Sequence, residues 1–278
     1  MATESSLTRG SNTDLKGMRD IQATIHFPDC KDFAKNLRAI SHNAFDHDPL
    51  CDCTVLVTGF PPKSFRDDDD DVEEEELLIP RRSRVTYFEE SQILIVTMPG
   101  RAHEVTNELF GLEFSRKLDK MGCHAEIRLH GLEKVNLGDV EKMPDKSWGP
   151  KKNGYITCVL ETGVSESRLA LHRDATTWLG SPQSHVAQVI TIKLSRTRPE
   201  MHFCLWKKNQ AREASVDHEL LVILADGLPI TQGTLTISFE ELFERRPRAG
   251  TAECDIVFSE RDLGGIAREV WEVMGFQV

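Results

Sequence analysis

The sequence predicts a mixed α/β fold, a central sheet flanked by helices. Three observations carry that expectation. Apolar, β-rich runs recur at residues 85–88, 93–96, 155–160, 186–194 and 201–206. Between them lie two stretches, 101–121 and 167–179, whose apolar residues follow helical spacing. From residue 91 onward the order is strand, helix, strand, an Asp-bearing segment, strand, helix, strand, strand, which packs as a sheet with helices against its faces.

Each element has its own local signals. Pro99-Gly100 marks the turn into the first long helix, whose Val105, Leu109, Leu112, Leu118 and Met121 fall near one face. Gly122 fits its C-terminal stop. Residues 125–129 alternate like a half-buried strand. Ser165 or Ser167 can cap the helix at 167–179, which presents Leu171, Ala175, Trp178 and Leu179 before Gly180-Ser181-Pro182 ends it. Further strands are expected at 219–225 and 234–239, and a last helix at 263–274 with Ile266, Val270 and Val273 inward. Upstream, Phe33, Leu37 and Ile40 mark a helix and residues 54–57 a strand. Residues 1–20 are polar and aperiodic, so a disordered tail is expected there. The like-charged run from Asp67 to Glu76 predicts a solvated, mobile loop over 66–76. The expected organisation is therefore a tail (1–20), an N-terminal extension (21–82), a core (83–210) and a C-terminal layer of strands and a helix (211–278).

Composition limits the function classes. The chain has 278 residues, 39% of them hydrophobic, and a formal net charge of −11, which argues against a surface coated with basic groups for non-specific nucleic-acid binding. No run approaches the roughly 18 apolar residues of a membrane span. The opening Met-Ala-Thr-Glu-Ser-Ser does not read as a secretory leader. Seven scattered cysteines predict free thiols in a reducing compartment, cytosol or nucleus. His42, His47, Cys51 and Cys53 lie close in sequence, but Cys-x-Cys is tighter than paired zinc ligands, so an ordinary loop is expected. Ser165 and Ser167 lack a nucleophile elbow, and neither a P-loop nor a dinucleotide fingerprint is present.

The chemistry concentrates in two carboxylates. Asp145 follows Pro144, and Glu161 ends an apolar strand sixteen positions later (161 − 145 = 16). Two acids brought together across adjacent strands make a hard, oxygen-rich site suited to Mg²⁺ or Mn²⁺. Pro144-Asp145-Lys-Ser-Trp148, then Val159-Leu-Glu161-Thr-Gly163-Val-Ser165-Glu-Ser167, with Met98-Pro99-Gly-Arg before a long helix, resemble the PD-(D/E)xK phosphodiesterase superfamily. More narrowly they resemble Uma2-like proteins and related proteins common in fungi. The resemblance spans about residues 91–206.

The resemblance implies a restriction-endonuclease-like core acting on nucleic acid, DNA or RNA. It implies Mg²⁺ or Mn²⁺ held by Asp145, Glu161 and the Thr162 carbonyl, with Glu104 as an outer ligand, activating a water. The family lysine belongs two residues after the second acid, where this chain has Gly163. Lys193, on the strand after the second helix, is the expected substitute. Lys146 would point elsewhere, and Trp148 is expected to be a packing anchor. Two readings follow: a metal-dependent nuclease-like phosphodiesterase, or a non-catalytic module of the same fold that binds nucleic acid or protein. Self-association through residues 211–278 is a third option.

Overall fold

Strand pairing divides the chain into two main sheets, seen in a computed structural model that describes residues 15, 21–30, 32–62, 77–131 and 133–278. The acidic run at 67–76 and, Leu15 apart, the tail at 1–20 lie outside the described residues. The elements in order are β1 (Ile21–His26), α1 (Phe33–His47), β2 (Cys53–Thr58), β3 (Arg84–Phe88), β4 (Ile93–Met98), α2 (Arg101–Met121), β5 (Ile127–Leu129), β6 (Val135–Asn136), β7 (Val140–Lys142), β8 (Lys146–Pro150) and β9 (Cys158–Gly163). There follow α3 (Arg168–Gly180), β10 (Gln188–Leu194), β11 (Glu200–Lys208), β12 (Ala214–Ala225), β13 (Leu228–Ile230), β14 (Leu235–Ile237), α4 (Phe239–Phe243), β15 (Ile256–Phe258) and α5 (Glu260–Val273).

The fold is the expected mixed α/β arrangement. A seven-stranded mixed sheet runs β13-β12-β11-β10-β9-β8-β5. Its β9–β10 pair is parallel, bridged by α3, and its other pairs are antiparallel. A six-stranded sheet runs β1-β2-β4-β3-β7-β6. β3 and β4 therefore pair with the N-terminal strands, not with the strand that carries Glu161. A third pair, β14–β15, feeds α5.

Alternation decides the two faces of the large sheet. Cys158, Leu160, Ile190 and Ile192 face α2 and α5, while Val159, Val189 and Cys204 face α3. On the first side Trp148 stacks on Phe114 (centroids 4.5 Å) and Phe110 on Phe258 (4.5 Å). Trp148 is thus the packing anchor expected of it. These aromatics also turn α2. Its buried residues include His103, Asn107, Phe110, Phe114 and Leu118, whereas Leu112, expected inward, is 50% exposed. The two rings fill more of the interface than Leu112 could, and they set the helix rotation. α5 packs on α2 through Leu263, Ile266, Val270 and Trp271, and Lys117 ties it down with an ion pair to Asp262 (2.7 Å). Val273, also expected inward, is half-buried.

The caps agree with the sequence. Ser167, not Ser165, caps α3, accepting from the Ala170 amide. Gly122 ends α2 in the left-handed region at φ +72°. Among the described residues no helix is long and apolar enough to cross a membrane. All seven cysteines are free.

Candidate functional site

The register of β8 and β9 explains why the two acids meet. Lys146 pairs with Leu160 across antiparallel strands, so one step outward sets Asp145 opposite Glu161. Both are 5% exposed. They line a small cavity of about 30 Å³ with Glu166, Asp174, Lys142, Arg173, Arg84 and His103. The walls come from both sheets: β3, β4 and β7 of the six-stranded sheet lie over β9 and α3 of the large one.

Asp145 is fully engaged by protein donors. Arg84 Nε donates to Oδ1 (3.1 Å) and the Thr162 amide donates to Oδ2 (2.6 Å). His103 Nε2 lies 2.9 Å from the same Oδ1, and its Nδ1 lies 3.1 Å from Asp52 Oδ1. Burial alone would raise the Asp145 carboxyl, but the His103 charge, then Arg84 and the Thr162 amide, hold it down at about 2. Burial opposes charge on His103 as well. Asp145 and Asp52 outweigh that and raise its pKa well above the ordinary histidine value.

Asp52 is the pivot of this half. Its carboxylate accepts from the Gly100 amide at the start of α2 (3.0 Å) and from the Val164 amide just after β9 (3.2 Å). The Gly100 contact requires glycine, since a Cβ there would sit 2.4 Å from the Cys51 carbonyl oxygen. One buried carboxylate thereby sets the start of α2 against the end of the Glu161 strand.

Glu161 sits in a different half of the cluster. Lys142 Nζ lies 3.3 Å from Glu161 Oε1 and 3.5 Å from Asp174 Oδ2, and Trp178 Nε1 donates to the same Glu161 oxygen. Burial pushes the Glu161 carboxyl up to about 8; Lys142 works against this, and Asp145 and Asp174 reinforce it. Glu166 is likewise pushed to about 8, by burial first and then Asp174. Burial disfavours the Lys142 charge, but Asp174, Glu161 and Glu166 more than offset it and hold its ammonium above the ordinary lysine range.

The other expected site residues are placed as follows. Glu104 is partly exposed and holds Arg84 Nη2 at 3.3 Å, which links it to Asp145 through the guanidinium. Thr162 gives its hydroxyl to Asn107 (2.7 Å) as well as its amide to Asp145. Lys193 shares the Glu161 face of the sheet, but its ammonium donates to the Val164 carbonyl (2.6 Å) and lines a separate cavity. Lys146 pairs with Glu108 (2.8 Å) on the other side of its strand. The structure thus brings Asp145, Glu161 and Thr162 together, ties Glu104 to them through Arg84, and leaves Lys193 outside.

Sequence reasoning missed Lys142, Arg84, Asp52 and the bridging role of His103. Lys142 ends a three-residue strand without an apolar pattern, so nothing local marks it as buried. His103 stands beside Glu104 on one helical turn, and the sequence does not say which of them faces inward.

The donor chemistry is hard and oxygen-rich, as Mg²⁺ or Mn²⁺ would need. The arrangement does not fit such an ion. Among the described residues no three His, Cys, Asp or Glu side chains converge as a metal-binding group. The protein's own cations stand beside both key carboxylates: Arg84 and His103 at Asp145, Lys142 at Glu161.

No family model matches the sequence, and comparison with curated proteins gives no match. Among solved structures the chain is similar to a protein from Anabaena variabilis ATCC 29413, described as a "putative nuclease belonging to DUF820". The identity is 13%, the TM-score 0.36, and the similarity covers 66% of this chain and 90% of that one.

Proposed function

We propose that this chain is a binding module on a restriction-endonuclease-like core, in which the acid pair survives as an internally neutralised charge network instead of a working metal site. The observation that carries this reading is the state of Asp145. Both of its oxygens are engaged by protein donors, and its side chain is 3% exposed. A phosphodiester cannot reach a carboxylate sealed in this way, and a cation would have to displace two protein cations first. Gly163 adds to the argument. A Cβ there would lie 3.2 Å from Glu166 Cβ and 3.4 Å from a Leu171 methyl, so a lysine at that position would crowd Glu166 and require it to give way. Nucleic acid, DNA or RNA, is the partner class that the sequence resemblance brings with it, and protein is the alternative.

One observation favours the second reading, a metal-dependent nuclease. Lys142 presents its ammonium to Glu161 from β7, so an acid–acid–lysine set does exist, with the lysine supplied by another strand. Titration calorimetry of Mn²⁺ into wild type and Glu161→Ala, with and without an oligonucleotide, separates the two. The binding-module reading expects no Glu161-dependent Mn²⁺ binding and no divalent-dependent cleavage of DNA or RNA. Mn²⁺ binding lost in Glu161→Ala, together with cleavage lost in Lys142→Met, would overturn it.

A further inference from the structure

At the N-terminal end of α3, on the Glu161 face of the large sheet, lies a cavity of about 280 Å³. Four basic side chains line it: Arg168, His172, Lys193 and His202. Trp206 forms a wall, with His172 stacked on it at 4.9 Å and its own Nε1 donating to Thr191. Carboxylates also stand nearby: Glu219 pairs with Arg168 at the rim and lies 3.8 Å from His202 Nδ1, and Glu200 acts on the same ring. In a chain of net charge −11, two cationic side chains, Arg168 and Lys193, are gathered in one concave site.

The groups are held in place, as a binding site needs. Lys193 is fixed at the cavity wall by its bond to the Val164 carbonyl. His202 Nδ1 is buried and has no hydrogen-bond partner. Burial, then the Arg168 charge, keep that ring below its ordinary pKa, as expected where an anionic neighbour would be welcome. Along α3 the cavity adjoins an open groove of about 580 Å³ through the shared residues Leu169 and His172, and Leu137, Val140 and Pro182 make that groove largely apolar. A charged pocket leading into an apolar groove matches a ligand with an anionic head and a ring or chain attached.

We propose that this cavity binds the phosphate group of a small phosphorylated ligand, with Arg168 and Lys193 as its cationic contacts and His202 as a hydrogen-bonding partner. Guanidinium and ammonium groups are the side chains that recognise phosphate best. The proposal deepens the binding-module reading, but it stands on residues outside the acid cluster and requires no hydrolysis.

The test is calorimetry and tryptophan fluorescence on the full chain at low salt, titrating inorganic phosphate, a nucleoside 5′-monophosphate and a short single-stranded oligonucleotide. Saturable phosphate binding at one site per chain is expected, with the monophosphate tighter because the groove takes its base. Each charged hydrogen bond lost should weaken binding about tenfold or more, in Arg168→Gln and in Lys193→Met alike. Arg168 is exposed, so its substitution leaves the fold intact and keeps the test sound if Lys193→Met unfolds. Glu219→Gln should tighten binding by releasing Arg168. The exposed Lys152→Gln should change nothing. Absence of saturable phosphate binding, or binding indifferent to Arg168→Gln, would overturn the site. An oligonucleotide that binds more than about tenfold tighter than the monophosphate would overturn its assignment to a small ligand.

Discussion

Replacing His103 by asparagine tests the charge network at its most buried cation. The ring is 2% exposed and bridges Asp52 and Asp145, whose side chains are 0% and 3% exposed. Removing one partner of a buried pair costs about 3–5 kcal/mol. Here each carboxylate keeps other donors: Asp52 retains the Gly100 and Val164 amides, and Asp145 retains Arg84 and the Thr162 amide. The loss should therefore fall near the lower end, about 3 kcal/mol, against a typical total of about 5–15 kcal/mol. The pH dependence has a definite sign. His103 is raised above its unfolded value of 6.5, so its contribution is fully present below that pH and is lost as pH rises through the folded value. Asp145 is depressed from 3.8 to about 2, so its contribution is present above 3.8 and is lost as pH falls through about 2. The gap between wild type and variant should thus be widest at about pH 4–6.5 and narrow toward alkaline pH. Urea unfolding at about pH 5, 7 and 9.5 measures it. A gap under about 1 kcal/mol at pH 5, or one that widens with pH, would show that His103 does not act as a buried cation between the two carboxylates.

Three further outcomes are expected. Glu161 is raised from 4.5 to about 8, so wild-type stability should decline as pH rises across that window; Glu161→Gln should flatten the decline, measured by the same unfolding series. Gly163→Lys, which restores the family lysine, should destabilise by about 1–3 kcal/mol through overpacking against Glu166 and Leu171, and should yield no divalent-dependent cleavage in a gel assay. Ser259→Ala removes half of the capping box that Ser259 and Asp262 form at the start of α5, and thermal denaturation should register a loss of about 1 kcal/mol.

The sequence revealed those features whose cause is local. The apolar run at 186–194 became β10, the helical spacing after Gly100 became α2, and Ser167 caps α3. Pairing was not legible in the same way. Lys142 lies 56 residues from Thr86, its neighbour across β3 and β7, and no periodicity announces that contact. Asp52 shows the difficulty most clearly. In Cys51-Asp52-Cys53 the cysteines attract attention as metal ligands, yet the residue that organises the site is the aspartate between them. Its partners are two amides and an imidazole from elements that converge only in the fold. Lys193 shows the opposite case, a local signal with more than one structural answer. A lysine in an apolar strand signals a buried polar partner, but a backbone carbonyl meets that need as well as an active site would.

Charge counting gives the acid cluster a further meaning. Leaving aside Glu104, whose partly exposed carboxylate is met by solvent as well as by Arg84, five carboxylates, Asp52, Asp145, Glu161, Glu166 and Asp174, are joined to four cationic groups, His103, Arg84, Lys142 and Arg173. Such a network is poor value as pure stabilisation, since apolar residues of similar volume commonly do as well or better. The arithmetic leaves one negative charge uncompensated. Glu161 and Glu166, both pushed up to about 8, are where that excess is felt. Both upward shifts favour a proton kept by this pair near neutral pH, and one such proton would supply the fifth positive charge. The cluster therefore reaches electroneutrality with groups the chain itself provides. A divalent cation entering at neutral pH would have to expel that proton or dislodge Lys142. Metal binding, if imposed at millimolar concentration, should accordingly show proton release that varies with the ionisation enthalpy of the buffer. Calorimetry in two buffers reads this directly, and binding with a buffer-independent heat would show that the carboxylates are already ionised and the compensation argument is mistaken.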